Sequence, residues 1–207
     1  MKNQSNSIRY QNQNSHTSGN NGGFVVTDIV KKPIIYIYPI EKMDVEVKLG
    51  NPQYLSCTYP KYKNGWSVTA DVDGTLVDKN TEKNLYALYW EGKEVPKNIN
   101  LKEGFCVKGK DTATFLEEKL SLLGLSDKEA EEFIIYWLPK MEENNYNYIR
   151  FETKEEQDKS MPLEITPKPD NLIRVMMDWK GLDEKIEVQE QNLETPIREG
   201  YTVAVSY

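Results

Sequence analysis

The segment MDVEVKL, residues 43–49, constrains the fold more than any other stretch of the chain. Met43, Val45, Val47 and Leu49 alternate with Asp44, Glu46 and Lys48, the two-residue period of a strand with one buried and one wet face. The same alternation recurs in GWSVTAD (65–71), where Trp66, Val68 and Ala70 lie opposite Ser67, Thr69 and Asp71. KKPIIYIYP (31–39) is a short run rich in isoleucine and tyrosine and bounded by prolines, a composition that suits a strand, and YLSCTYP (54–60) repeats the alternating pattern. Turn residues Gly50-Asn51-Pro52 and Lys63-Asn64-Gly65 separate these segments. Strands so spaced predict an antiparallel sandwich or an open barrel.

From Asp111 the periodicity changes. Phe115, Leu116, Leu120 and Leu123 form one apolar stripe, and Ala130, Phe133, Ile134 and Trp137 form a second, both at helical spacing. Asp111 is placed to cap the first helix, Gly124 to close it, and Ser126 with Glu129 spells a capping box for the second. Pro139 is expected to end or kink that helix near Trp137. Strand-like segments resume at 148–153, 161–167, 172–180 and 201–207. The order of strands, helical hairpin and strands predicts an α+β fold: mostly antiparallel sheets, sandwich-like, with one helical hairpin packed on them. Residues 1–31 read as a disordered polar tail and 32–207 as one compact domain. Within it, 32–110 and 144–207 are β-rich and 111–143 is the hairpin.

TADVDGTLVD (69–78) resembles the nucleophile loop of haloacid-dehalogenase-type phosphatases, with Asp71 as the attacking group and Asp73 two residues on. That loop needs a buried parallel strand before it, a helix soon after, and a later acidic pair for magnesium. Here the preceding strand alternates, the following residues read as a polar turn and another strand, and Asp183 stands beside Glu184 without a second aspartate. Asp73-Gly74 between two alternating segments reads instead as a two-residue hairpin turn.

Charge and residue inventory narrow the remaining chemistry. The chain beyond residue 27 keeps all 33 acidic side chains and all but two of the 26 basic ones, so this body repels a nucleic-acid backbone. Residues 1–31, rich in asparagine, serine and glutamine, are the segment expected to reach a protein partner, either a second copy or another component of an assembly. No run of 18 or more apolar residues predicts a membrane span, and the first residues lack the apolar core of a secretory signal. An intracellular or particle-assembled protein is therefore favoured. The single histidine is His16, which leaves the body without Ser-His or Cys-His catalysis and without imidazole metal ligands. Cys57 and Cys106 are too far apart in sequence for a zinc knuckle, and the glycines lack phosphate-cradle spacing. No cofactor and no metal is expected.

Five residues stand out as site candidates. Trp90 and Glu91 end a strand as an aromatic beside an acid, a setting that can raise a carboxyl pKa for general-acid work. Asp170 is the second acid of a carboxylate-based hydrolase, which would hold the two carboxyls about 5 to 10 Å apart. Arg150 and Arg174 interrupt the apolar runs YIRF and LIRV. Each is either a half-exposed strand charge or a buried partner for an acid such as Asp170 or Glu164. Tyr36, Tyr38, Tyr59 and Tyr62 offer a sugar-stacking surface if exposed.

KPIIYIYP, DGTLVDK, YWEG, GFCVKGKDT, FIIYWLPKM, NNYNYIRFET and PLEITPKPDNLIRVMM, in that order, resemble a family of bacterial and fungal proteins of unassigned function. The resemblance implies a shared fold over nearly the whole body and carries no catalytic residue with it. The reading from sequence is a non-catalytic structural or interaction module, a component of a surface or particle assembly. A carboxylate hydrolase directed at glycans and a magnesium phosphatase are the alternatives.

Overall fold

Residues 34–38 are covered on both faces of their strand, whereas residues 43–49 are buried on one face only. That difference sets the layers of the molecule. The computed structural model describes residues 23–26, 33–92 and 97–206. The first strands are β1 (Gly23–Val26), β2 (Ile34–Tyr38), β3 (Met43–Leu49), β4 (Leu55–Tyr59) and β5 (Trp66–Ala70). β6 (Leu76–Asp78), β7 (Asn84–Leu85), β8 (Leu88–Gly92), β9 (Lys97–Asn100) and β10 (Glu103–Lys108) follow. Next come α1 (Thr112–Leu122), α2 (Asp127–Met141), β11 (Tyr146–Phe151) and α3 (Lys154–Ser160). β12 (Leu163–Thr166), β13 (Asn171–Val175), β14 (Met177–Leu182), β15 (Gln189–Glu190) and β16 (Thr202–Ser206) complete the order.

The central sheet runs β13-β16-β2-β8-β4 and the outer sheet β12-β3-β5-β6-β7. Facing side chains of the two sheets close a sandwich core: Ile35, Ile37, Trp90, Val203 and Val205 from the central sheet meet Val45, Val47, Trp66 and Val68 from the outer one. Burying each of these aliphatics contributes about 1.5–3 kcal/mol. The opposite face of the central sheet, with Tyr36, Ile173, Val175 and Ala204, packs on the helical hairpin. A third sheet, β14-β11-β10-β15, adds Phe105, Ile149, Phe151 and Met177 to that second core. All pairings are antiparallel except β13 with β16 and β10 with β15. The fold is α+β, mostly antiparallel and sandwich-like, with the hairpin on one side.

The hairpin forms as its caps dictate. Gly124 takes φ +85, its N–H donates to the Ser121 carbonyl, and Leu125 N–H donates to Leu120; these two bonds close α1 in a Schellman motif. The Ser126–Glu129 capping box starts α2. α2 does not stop near Trp137. It runs through Pro139 to Met141, whose fully buried side chain anchors the last turn while Glu142 N–H donates to Leu138.

Other expectations need correction. Four residues of the supposed tail, Gly23–Val26, pair antiparallel with β9, as a Phe-Val-Val run favours; the rest of 1–31 lies outside the described residues. The segment 172–180 is two strands, since the chain leaves the central sheet at Val175 and enters the third sheet at Met177. Between β5 and β6 the loop is Val72-Asp73-Gly74, three residues, with Gly74 at φ +85 and Asp71 paired to Thr75. It is a type I turn with a glycine bulge, so Asp71 leads into an antiparallel hairpin and not into a helix. α3 was not expected at all.

Candidate functional site

Strand alternation decides where each candidate points. On β8, Leu88 and Trp90 face the sandwich core, and Trp90 is only 2% exposed. Tyr89 and Glu91 take the other face, where burial and then the Glu91 carboxylate push the Tyr89 hydroxyl up to about 12. Asp170 accepts the Tyr201 N–H at 2.8 Å and so ties the turn before β13 to the start of β16. Registers place these two acids at opposite ends of the central sheet. Asn171 is level with Thr202 and Tyr38, whereas Tyr89 is level with Ile34, a separation of more than about 20 Å along the strands. The structure does not bring Glu91 and Asp170 together.

Arg150 and Arg174 are partners for acids, yet not for Asp170 or Glu164. On β11, Arg150 lies across from Asp178 of β14, donating to its carboxylate at 3.2 Å and to Glu156 of α3 at 2.8 Å. Glu103 stands 3.9 Å away. Arg174 on β13 is 4% exposed; it donates to Asp158 at 2.8 Å and to the Met161 carbonyl at 3.0 Å. Both arginines therefore hold α3, one from the third sheet and one from the central sheet. Buried Gln157 completes the seam, its amide donating to the carbonyls of Glu152 and Arg174. A helix with the sequence KEEQDKS has no apolar stripe of its own, so charge-assisted bonds to buried guanidinium groups fix its place. The Thr153–Glu156 capping box was the sequence signal for it.

A second polar cluster lies between the central sheet and α2. Arg198 donates to both oxygens of fully buried Glu129, at 2.7 and 2.8 Å, and to the Gly124 carbonyl at 2.7 Å. Burial alone would raise the Glu129 pKa, but Arg198, the Ser126 N–H and Tyr38 outweigh it and hold it below the ordinary value. The Tyr36 hydroxyl donates to Glu132 at 2.7 Å, and burial followed by that carboxylate pushes its pKa far up. Tyr38 lies under the Arg198 guanidinium, 5.2 Å from ring centre to carbon. Neither Arg198 nor the second role of Glu129 was visible in the sequence, because Arg198 sits in a segment without periodicity.

The remaining candidates are surface features. A groove of about 480 Å³ opens between Lys48, Pro52, Tyr62, Lys63, Pro162 and Glu164. Its floor is fixed by the Tyr62 hydroxyl, which accepts the Leu49 N–H at 3.0 Å, and by the Tyr62 ring set edge-on to Trp66. It offers stacking walls and rim charges, not a fixed acid–base pair. Of the four tyrosines suggested for sugar stacking, Tyr36 is buried, Tyr62 floors this groove and Tyr59 is exposed on β4. Asp71 and Asp73 accept backbone N–H groups of their own hairpin at 2.8 Å, from Val72 and Thr75. Both cysteines are free thiols, Cys57 exposed and Cys106 half-buried. Among the described residues no group of three or more Cys, Asp or Glu side chains is placed to hold a metal ion, and no helix is long and apolar enough to cross a membrane. No family model, no curated protein and no solved structure matches this chain.

Proposed function

We propose that the chain is a non-catalytic structural or interaction module, a component of a surface or particle assembly, whose partner is a protein. One observation carries this reading: four of the five site candidates serve the architecture, and the fifth, Glu91, lies at the opposite end of the central sheet from Asp170. Trp90 fills the sandwich core, Arg150 and Arg174 hold α3, and Asp170 ties two strands. The motifs behind the family resemblance fall on the same framework. KPIIYIYP is the doubly buried β2, YWEG the inner strand β8, FIIYWLPKM the core stripe of α2, and NNYNYIRFET the strand and cap that lead into α3. The acidic body disfavours nucleic acid as the partner.

The test is turnover. Full-length protein is assayed against chromogenic phosphate monoesters with magnesium and against a panel of chromogenic glycosides, alongside Glu91→Gln, Asp170→Asn and Asp71→Asn. We expect the same background rate from all four proteins. Turnover by the parent that any one of these variants abolishes would overturn the reading.

A further inference from the structure

Among the described residues eight large apolar side chains are exposed, and four of them gather at one end of the central sheet: Ile40 at 70%, Ile197 at 69%, and Val72 and Tyr86 at 54% each. Their segments meet around Tyr38, the last residue of β2. Ile40 lies two residues on, in the turn to β3. Gly74 of the β5–β6 loop backs onto the Tyr38 ring with no room for a Cβ between them, which brings Val72 of the same loop to this end. Tyr38 is level with Thr202 and its ring is covered by Arg198, the neighbour of Ile197. The Tyr38 hydroxyl stands beside Ser126 and Glu129 at the start of α2, and Lys128 of that turn sits 4.6 Å over the Tyr86 ring. Single exposed apolar residues are ordinary, but several from converging loops mark an interaction surface.

The charges around these side chains select the occupant. Segments 39–42, 71–75, 126–129 and 197–200 hold six acids and three bases. Each base is committed: Lys42 stands 3.7 Å from Asp71, Lys128 lies over Tyr86, and Arg198 is paired with Glu129. Glu41, Asp127 and Glu199 are exposed and have no cationic partner among the described residues. The neighbouring turn 167–170 adds one charge of each sign, Lys168 and Asp170. We propose that this end of the central sheet docks a protein segment in which lysines or arginines are interleaved with aliphatic or aromatic residues. The apolar side chains of that segment cover Ile40, Val72, Tyr86 and Ile197 and supply most of the affinity, while its cations meet Glu41, Asp127 and Glu199 and decide which partner is accepted. An anionic lipid surface or a second copy of this chain, whose net charge is −7, brings charge of the same sign and is repelled. This inference rests on the interaction-module reading and gives the chemistry of its partner.

The test presents immobilised full-length protein with a phage-displayed library of random peptides about a dozen residues long. We expect the retained peptides to combine net positive charge with aliphatic or aromatic residues, and the best of them, made synthetically, to bind in calorimetry with an affinity that falls as salt rises. Ile40→Ser with Val72→Ser is expected to weaken that binding at least about tenfold. Both side chains are more than half exposed, and the melting temperature shows that the fold survives; Glu41→Gln with Glu199→Gln provides a milder second variant with the same direction of effect. Tyr54→Ser, beside the far end of the sheet where Leu55 pairs with Gly92, is expected to leave binding unchanged. The proposal is overturned if no peptide is retained, if the retained peptides are neutral or acidic, or if their binding is indifferent to Ile40 and Val72. Pelleting with phosphatidylcholine–phosphatidylglycerol vesicles, or a dimer in light scattering, that the Ile40–Val72 variant abolishes would assign the surface to a lipid or to a second copy and overturn it as well. The turnover assay is unaffected by any of these results, so the two proposals fail separately.

Discussion

Both faces of the central sheet are closed by apolar cores that share β2, but only the helix side adds a buried ion pair and a tyrosine–carboxylate bond to its core. Ile35 and Ile37 enter the sandwich side, where Leu88, Trp90, Val203 and Val205 meet the outer sheet through apolar contact. Tyr36 and Tyr38 enter the helix side, where hydroxyls, carboxylates and a guanidinium must match. The first face is specified by volume, and shape-conserving changes there cost little. The second is specified by partner geometry, because a buried charge without its partner is far costlier than a misfit methyl group. On the helix side, Tyr36–Glu132 joins β2 to α2 and Glu129–Arg198 joins α2 to the segment before β16, in addition to the apolar core beneath the hairpin.

Removing volume from the dry face should have the largest effect. Trp90→Ala is expected to cost about 3–5 kcal/mol in urea unfolding, with the same loss at pH 5 and pH 8; a loss that varied with pH would break the contrast. Arg198→Met comes next, at about 3 kcal/mol near neutral pH, because it strands the Glu129 carboxylate. The Glu129 pKa is lowered in the folded state, so the stability that the pair contributes is full above the unfolded value of about 4.3 and fades as pH falls through the lower folded value. The difference between Arg198→Met and parent should therefore shrink in acid, and adding Glu129→Gln should restore part of the loss at pH 7.

A smaller effect separates α3 from both faces. Arg174→Met should cost about 2 kcal/mol and raise amide exchange across 154–160 while leaving β11 protected; equal deprotection of both would mean that α3 is not held locally. Tyr36→Phe should cost about 1 kcal/mol near neutral pH. Its sharper readout is alkaline. The Tyr36 pKa is raised by burial and by Glu132, so its contribution is full below the ordinary tyrosine value of 10.0 and is lost as pH climbs past it. The variant should unfold less steeply above pH 10 than the parent, whereas Ile37→Val on the dry face should leave that slope unchanged.

Sequence patterns revealed the parts of this fold whose cause is local. The outer strands β3 and β5 alternate because one face meets water, and the capping box at Ser126 and Glu129 marks the start of α2 without reference to anything distant. The helix α3 escaped because its hold is non-local: Glu156 and Asp158 meet arginines on β11 and β13, and polar residues alone do not announce a helix. The burial of Arg150 and Arg174 was one of two readings available from their apolar neighbours, but the identity of the acids depended on strand register. Glu91 and Asp170 paired well on paper for the same reason they failed in space, since nothing in a list of residues says which end of a sheet each will reach.

The place of β16 has a consequence for how the molecule is made. Residues 202–206 lie between β13 and β2 and are their shared neighbour in the central sheet. Until residue 206 has been synthesised, β2 and β13 each present an apolar strand with a missing neighbour, and both cores lack Val203, Ala204 and Val205. Contacts spanning more than 160 residues close slowly, and open strands of this kind are prone to capture by other nascent chains. A chaperone that shields the emerging N-terminal half should therefore raise the yield of native protein far more than one acting after release.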